Sequence, residues 1–376
     1  MIFSIIIFIL TLLILVLIHE FGHFLMAKRF GIKVLEFGFG IPPKILGKKF
    51  GETEYSLNAL PIGGFVRLLG EDEADQKMLE NHRSFAYQHV YKRMVVVLAG
   101  VVMNFLLANL VFYIFLAGQN FKIILPYNNQ YNFVGVNQKV ESFVLIGEVA
   151  KGSPAQSVGI KVGERVVSLN GENIVSSNQL VEKTKALAGQ EIEIKLLDQD
   201  KTDRLVRLTP RKNPPSGEGA IGIAFGSMDI ATISYETPLQ KLFSGPIHSY
   251  NLVAYSVVSL GDLIGKSWQQ QSVGPISGAV AGPVGITNIA NQILTSEKNS
   301  FIPYLGFIGL ISLNLAVFNF LPIPALDGGR LFFLIIEAVT GKRVHPVFEK
   351  WVHTVGMAAL LLLSLLITVS DIKKML

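Results

Sequence analysis

The sequence contains no cysteine and few charged residues. Of its 376 residues, 16% are charged and 50% are hydrophobic, and the mean hydropathy is +0.45. The lack of cysteine excludes disulfides and thiolate metal ligands, so any metal must be held by His, Asp or Glu. So little charge in a chain of this length is not typical of a soluble enzyme. A membrane is therefore the expected solvent.

Long basic runs are also missing. The formal net charge is +5, yet no run of five basic residues occurs and no aromatic-basic module accompanies the surplus. Nucleic acid is therefore not expected as a partner, and the surplus is better explained by Lys and Arg that flank membrane spans.

Four apolar stretches are long enough to cross a bilayer core, which takes about 20 residues. They are Met1 to Ala27, Met94 to Gly118, Phe301 to Leu326 and Val352 to Val369. The first lacks the basic start of a signal peptide, so we expect a retained span. A weaker candidate, Leu239 to Ile264, is interrupted by charge and is expected to form helices on the membrane surface.

Basic residues predict the topology of the spans. The loop at 28–93 carries several Lys and Arg near both of its ends, whereas Lys122 is the only basic residue shortly after the second span. The positive-inside rule then places residues 28–93 in the cytoplasm and residues 119–300 outside. Lys373 and Lys374, at the end of the fourth span, would lie outside against that rule.

Short alternating apolar segments separated by turn residues occupy Ser142 to Arg211. The run from Gly152-Ser153-Pro154-Ala155 to Asn170-Gly171 resembles a PDZ domain, with Glu164 where that family more often has Asp. The resemblance implies an α+β domain, residues 142–226, that binds an extended peptide by adding it to a sheet edge. A folded spacer without a ligand is the alternative.

The segment His19-Glu20-Phe21-Gly22-His23 directly continues the first apolar run. On a helix this spacing puts both imidazoles on one face, where they can share one zinc ion, and Glu20 is placed as general base toward water at the zinc. The motif is short enough to arise by chance at a helix end in the interface. Three ionisable groups in a span are costly, however, and this favours a functional site.

Catalytic zinc usually keeps three protein ligands, so one more is needed. Asp327, in the segment Asn319 to Gly329, follows two prolines that end the helix and precedes two glycines that allow close backbone approach. A helix N-cap is the alternative role for this Asp. Four other candidates lie in the cytoplasmic loop, away from the membrane depth of His19: Glu36, Glu52, Glu54 and His82.

Together these motifs resemble the site-two proteases, the family of intramembrane zinc metalloproteases, and specifically the bacterial branch typified by the regulator-of-sigma-E protease. Both family patterns are complete, at His19 to His23 and at Asn319 to Gly328. The resemblance covers nearly the whole chain and implies His19, His23 and Asp327 as zinc ligands and Glu20 as general base. Val101 follows Gly100 at a position where the family often has proline. We expect this difference to alter packing rather than chemistry.

Substrate contacts are predicted at two places. Asn314 and Asn319 are amides in an apolar span, where each should bond the substrate backbone, a developing oxyanion or simply a neighbouring helix. Glu54 to Leu68 is predicted as a hairpin centred on Pro61 to Gly64, whose edge could hold an extended substrate. The remaining histidines are expected at the interface or surface: His82, His89, His248, His345 and His353.

The predicted fold is a polytopic α-helical membrane protein with four transmembrane helices, a membrane-associated β-hairpin and an inserted extracytoplasmic α+β PDZ domain. Residues 1–118 and 301–376 would form the two catalytic membrane halves, and residues 227–300 surface helices with a gate-like segment.

The predicted function is regulated intramembrane proteolysis with Zn²⁺ in the bacterial inner membrane. The substrates would be single-span proteins such as anti-sigma factors, after prior extracytoplasmic cleavage, or remnant signal peptides. The alternatives are a membrane-anchored PDZ scaffold with a vestigial metal site and a metal-ion transporter. A transporter should show repeated spans and several ligand residues along a path, whereas this sequence has one complete motif pair and no repeat.

Overall fold

The computed structural model describes residues 2–71, 80–127, 131–198, 202–296 and 301–375. The chain divides into two compact units. Residues 1–120 and 241–376 form one, the helical unit, and residues 121–240 form the other, the sheet unit. The predicted segment of surface helices, residues 227–300, includes residues 297–300, which lie outside the described ranges.

In chain order the described elements are α1 (Ile2–Arg29), β1 (Val34–Phe50), β2 (Thr53–Leu68), α2 (Val90–Gly118), β3 (Lys122–Tyr127), β4 (Asn137–Val149), α3 (Pro154–Ser157), β5 (Arg165–Leu169), β6 (Glu172–Asn173), α4 (Ser177–Ala186), β7 (Ile192–Leu197), β8 (Asp203–Leu208), β9 (Ile223–Ser234), α5 (Pro238–Leu242), α6 (Ser244–Gln269), α7 (Gly274–Ala279), α8 (Pro283–Ser296), α9 (Phe301–Phe320), α10 (Asp327–Thr340) and α11 (Pro346–Met375).

Four helices in the described ranges are long and apolar enough to cross a membrane, and they coincide with the four predicted spans. They are Phe3–Arg29, Val90–Gly118, Phe301–Phe320 and Pro346–Lys374. Their outward faces expose large apolar side chains, such as Phe3 in α1 and Leu361 in α11. That exposure suits helices surrounded by lipid, because lipid solvates apolar side chains.

The third span is shorter than predicted. α9 ends at Phe320 rather than at Leu326, because the two prolines that follow have no N–H group for a helical hydrogen bond. Residues 321–326, here called the strap, lead to α10, whose first residue is Asp327.

α6 packs against α2 through small and polar residues. Ser249 Oγ donates a hydrogen bond to Asn109 Oδ1 at 2.5 Å, and a Cβ on Gly245 would collide with the Asn109 carbonyl. His248 is 4% exposed and its ring meets that of Phe112 edge to face. His248 was predicted at the interface or the surface, and it is not a surface residue, because α6 turns this side toward α2.

The β-hairpin of the helical unit is folded back on itself. β1 and β2 meet at Gly51 and Glu52, and β2 reverses direction between Leu57 and Gly64, close to the predicted centre, Pro61 to Gly64. Register shifts put Phe37 opposite both Tyr55 and Val66, so the start of β1 lies between the two ends of β2.

One edge of this hairpin is open, and its turn is anchored by ion pairs. The run Phe65–Leu68, here called the edge segment, pairs with β1 on one side and with no other described strand on its second side. At the turn between β1 and β2, Lys28 and Arg83 donate hydrogen bonds to the Glu52 carboxylate. These bonds anchor the turn and lower the pKa of Glu52 to about 2.

The sheet unit contains one antiparallel sheet in the order β3-β9-β4-β5-β7-β8, with β6 paired to β5. Ser153 Oγ caps α3 by accepting from Gln156 N. The sheet extends beyond the predicted 142–226, since β9 continues to Ser234, which pairs with both Lys122 and Asn137.

Glu164 has a structural role in the sheet unit. Its carboxylate is 3% exposed and accepts hydrogen bonds from Arg204 Nη2 at 2.7 and 2.9 Å and from Lys161 N at 2.8 Å. It thus closes the turn before β5, at the position where PDZ domains more often carry Asp.

Candidate metal centre

His19 and His23 lie on one face of α1, as their spacing predicts. Their Nε2 atoms are 3.2 Å apart, and the ring centroids are separated by 4.8 Å in an edge-to-face arrangement. α1 continues past both residues to Arg29, so one unbroken helix sets this geometry.

Asp327 completes the cluster from the other end of the chain. Its Oδ2 lies 2.9 Å from His19 Nε2 and 3.3 Å from His23 Nε2. The N-cap of α10 is Leu326, which makes no side-chain capping bond. The carboxylate therefore faces the two imidazoles rather than the backbone, and the N-cap alternative is not realised.

The glycines after Asp327 make this approach feasible. A Cβ on Gly328 would collide with the carbonyl of Leu321, and one on Gly329 with the carbonyl of Ile323. The start of α10 thus packs directly on the strap, which leaves no room for a side chain at either position.

The dimensions of the cluster fit a zinc ion. Zinc bonds of 2.0–2.1 Å in a tetrahedron give ligand separations of about 3.3 Å, and the observed separations are 2.9, 3.2 and 3.3 Å. Three acceptor atoms this close repel one another unless a metal cation or shared protons lie among them. In the described ranges, this is the one group of three or more His, Asp and Glu side chains whose donor atoms converge in this way.

The hydrogen bond of His23 selects its tautomer. Nδ1 lies 2.8 Å from the Val96 carbonyl, which can only accept, so the proton resides on Nδ1. The lone pair on Nε2 is then directed at the cluster. A second bond of this kind commonly orients metal-binding histidines.

Two glycines at the crossing of α1 and α2 have a role beneath the cluster that the sequence did not assign to them. A Cβ on Gly22 would collide with Ala99 O, and a Cβ on Gly100 with His23 Nε2 and with the ring of His19. Only a hydrogen in these places lets α2 lie directly beneath the imidazoles. The pair Ala99-Gly100 in an otherwise bulky span was the available signal.

Glu20 lies beside the cluster, on the wall of a cavity of about 370 Å³. The edge segment lines the same cavity, and so do Glu71 and Arg330, which form an ion pair. Sequence reasoning did not select these last two residues, because nothing local marks them. The full lining is Glu20, His23, Phe65, Val66, Arg67, Leu68, Glu71, Phe85, Val96, Val97, Ala325, Leu326, Asp327 and Arg330.

The four candidates in the hairpin and loop have other partners. They are Glu36, paired with Arg67; Glu52, paired with Lys28 and Arg83; Glu54, paired with Lys44; and His82, whose ring meets that of Tyr87. None of them belongs to the described cluster.

The two amides of α9 stand apart from the cavity wall. Asn314 is exposed and Asn319 is half-buried, and neither lines the cavity. Because five residues turn a helix by about 140°, they point in different directions. Their role in substrate binding remains a prediction.

His353 holds the strap, a role that the sequence did not indicate. Its Nδ1 accepts a hydrogen bond from Ala325 N at 2.8 Å, and a Cβ on Gly356 would collide with Pro324. His353 was predicted at the interface or the surface; it is half-buried, because α11 packs against the strap.

Apolar spanning helices, a His-Glu-x-x-His pair joined by a distant carboxylate, and a polar cavity beside them define a membrane-embedded metalloprotease. The chain matches the model of peptidase family M50 over residues 7–363, and it belongs to that family. It is accordingly an integral membrane protein, and its cofactor is zinc.

Relatives of similar length support this assignment. The chain is 32% identical over 371 residues to a putative zinc metalloprotease of Clostridium acetobutylicum, covering 98% of this chain and 97% of the relative. It is 28% identical over 440 residues to the regulator of sigma-W protease RasP of Bacillus subtilis, covering 96% of each.

The PDZ domain of an SdrC-like protein from Listeria monocytogenes matches 22% of this chain and 85% of its own length, with 18% identity and a TM-score of 0.20.

Proposed function

We propose that this chain hydrolyses a peptide bond in or next to the transmembrane segment of single-span membrane proteins. His19, His23 and Asp327 would bind the zinc, and Glu20 would act as general base. The observation that carries the proposal is the convergence of two Nε2 atoms and one carboxylate oxygen at 2.9–3.3 Å, beside the cavity that Glu20 lines.

The chemistry divides between the metal and the chain. Bound zinc supplies a Lewis acid that polarises water and the peptide carbonyl. Glu20 accepts the proton of the attacking water and delivers it to the leaving amine. The Val96 carbonyl keeps the His23 lone pair on Nε2, and Asp327 contributes the negative charge of the ligand set.

Zinc removal tests this function directly. The purified chain in detergent should cleave a labelled single-span substrate, lose this activity with a zinc chelator and regain it when zinc is added. A membrane-anchored scaffold with a vestigial metal site would bind the substrate without cutting it at any zinc concentration. A substrate whose span is replaced by a soluble linker is the matched control and should be cut much more slowly.

We propose that the substrate backbone binds along the edge segment. A helical substrate hides its peptide bonds in internal hydrogen bonds, so cleavage requires an extended stretch, which an open strand edge can bind. Leu68 N donates to a Glu71 carboxylate oxygen at 3.4 Å, so this N–H points away from β1. Successive residues along a strand point their N–H groups to opposite sides, so the Val66 N–H, two residues before Leu68, also points away from β1.

Val66→Pro should therefore reduce kcat/KM for the single-span substrate about tenfold, because it removes one hydrogen bond donor from the edge. Val66→Ala trims the side chain but keeps the N–H, and it should stay within about threefold of wild type. Equal losses in both variants, in a substrate titration, would show that packing rather than backbone pairing matters at this position.

We further propose that residues 28–93 face the cytoplasm of a bacterial cell and that the sheet unit lies outside the inner membrane, following the distribution of basic residues. The sheet unit would bind an extended peptide at β9. Ile223–Met228 pairs with β4 on one side, whereas β3 covers only residues 229–234 on the other. This leaves one edge of Ile223–Met228 without a described strand partner.

The name of the Bacillus subtilis relative, regulator of sigma-W protease, supports anti-sigma factors as a substrate class for this chain. Remnant signal peptides are the other class that we propose. Binding outside the membrane would exclude substrates with bulky domains until an earlier cleavage has trimmed them.

A further inference from the structure

Asn104 of α2 lies against the His19 ring, and its amide is incompletely satisfied. The residue is 0% exposed, and Nδ2 lies 3.4 Å from His19 Nδ1. The amide oxygen Oδ1 is buried and has no hydrogen-bond partner in the described part of the chain. A buried carbonyl without a donor is costly, so a polar residue here needs a reason.

The position of this residue is fixed from the other side. Ser312 Oγ of α9 donates a hydrogen bond to the Asn104 backbone carbonyl at 2.8 Å. The side chain is therefore held next to His19, and rotation about its Cβ–Cγ bond decides which amide atom meets the ring.

The tautomer of His19 that can bind zinc determines which amide atom of Asn104 must face the ring. Its Nε2 faces Asp327 Oδ2 and His23 Nε2, so an Nε2 that binds zinc must keep its lone pair and the ring proton must be on Nδ1. Nδ1–H requires an acceptor, and an amide nitrogen only donates. Exchanging the amide oxygen and nitrogen gives both His19 Nδ1–H and Asn104 Oδ1 a partner.

We propose that Asn104 is a positioning residue whose amide oxygen accepts a hydrogen bond from His19 Nδ1–H and so selects the tautomer that binds zinc. α2 then supplies one acceptor to each imidazole, since the Val96 carbonyl serves His23 in the same way. This inference rests on the proposed ligand set, His19, His23 and Asp327.

The test compares three variants of the full-length chain in detergent by zinc dissociation constant, measured by competition with a chromophoric chelator. Asn104→Ala should weaken zinc binding about 10- to 100-fold, as expected when the partner of a metal-binding histidine is lost. Asn104→Asp should stay within about threefold of wild type, because a carboxylate is an acceptor of similar size.

Asn109→Ala is the matched control. Asn109 is an amide in the same helix, with its oxygen bonded to Ser249 Oγ, and its loss should leave zinc affinity within about threefold of wild type. kcat/KM at saturating zinc is measured alongside, so that weakened binding and slower catalysis are distinguished.

Two results would overturn the inference. Asn104→Asp binding zinc as weakly as Asn104→Ala would mean that the amide must donate, and wild-type affinity in Asn104→Ala would mean that it does not matter. If the alanine variant does not fold, the isosteric pair Asn104→Thr and Asn104→Val replaces it, and threonine should bind more tightly than valine. The ligand set itself would be refuted if the wild-type chain bound no zinc, or if His19→Ala bound zinc as tightly as wild type.

Discussion

Glu20→Gln is expected to abolish proteolysis while zinc stays bound. Glutamine has the same shape but cannot accept a proton, and general-base groups contribute roughly 10²- to 10⁴-fold to rate. The side chain stands next to His19 and lines the cavity without belonging to the ligand cluster. Cleavage of the labelled single-span substrate should fall by at least about 100-fold, with zinc content unchanged.

The matched control is Glu71→Gln, the same isosteric change on the same cavity wall. It should keep activity within about tenfold of wild type, because Glu71 pairs with Arg330 rather than facing the attacking water. Wild-type cleavage by Glu20→Gln would exclude this residue as the base. An equal loss in both variants would attribute the effect to the charge of the cavity.

Asp327→Ala is expected to release the metal. With the carboxylate removed, two imidazoles remain, and the negative charge that offsets the zinc charge is lost. We expect zinc affinity to fall by more than about 100-fold, beyond the loss usual for a group that only supports a ligand. Metal analysis after dialysis against buffered zinc measures the affinity, and cleavage should disappear in parallel.

Asp371→Ala provides the comparison within the same unit. Asp371 is a buried carboxylate that accepts hydrogen bonds from Gly282 N at 2.9 Å and Gly285 N at 2.8 Å, and so it holds the start of α8 to α11. Its loss should lower thermal stability yet leave zinc content unchanged. Full zinc occupancy in Asp327→Ala would remove this residue from the ligand set.

The agreement between sequence and structure is closest where the signal is local. The four spans were predicted from runs of apolar residues, and the shared face of His19 and His23 from a spacing of about one helical turn. Asp327 was selected from the motif of its own segment together with the pair His19 and His23.

Predictions failed where a distant partner decides the outcome. His248 is buried because α6 packs on α2, and His353 binds the strap because α11 lies beside it. The two arms of the predicted hairpin pair with the start of β1 rather than with each other, since Tyr55 and Val66 both lie opposite Phe37. None of these partners lies within a few residues of the position it controls.

By itself, the sequence determined the four spans and the shared helix face of His19 and His23, because hydropathy and spacing act over one or two turns of helix. The class of protein followed from its resemblance to a family. Only the tertiary structure decided that Asp327 reaches His19, that the edge segment opens on the same cavity, and that Gly100 leaves space under the imidazoles. Those outcomes depend on helix separations that a single Cβ would change, and no local pattern of residues encodes them.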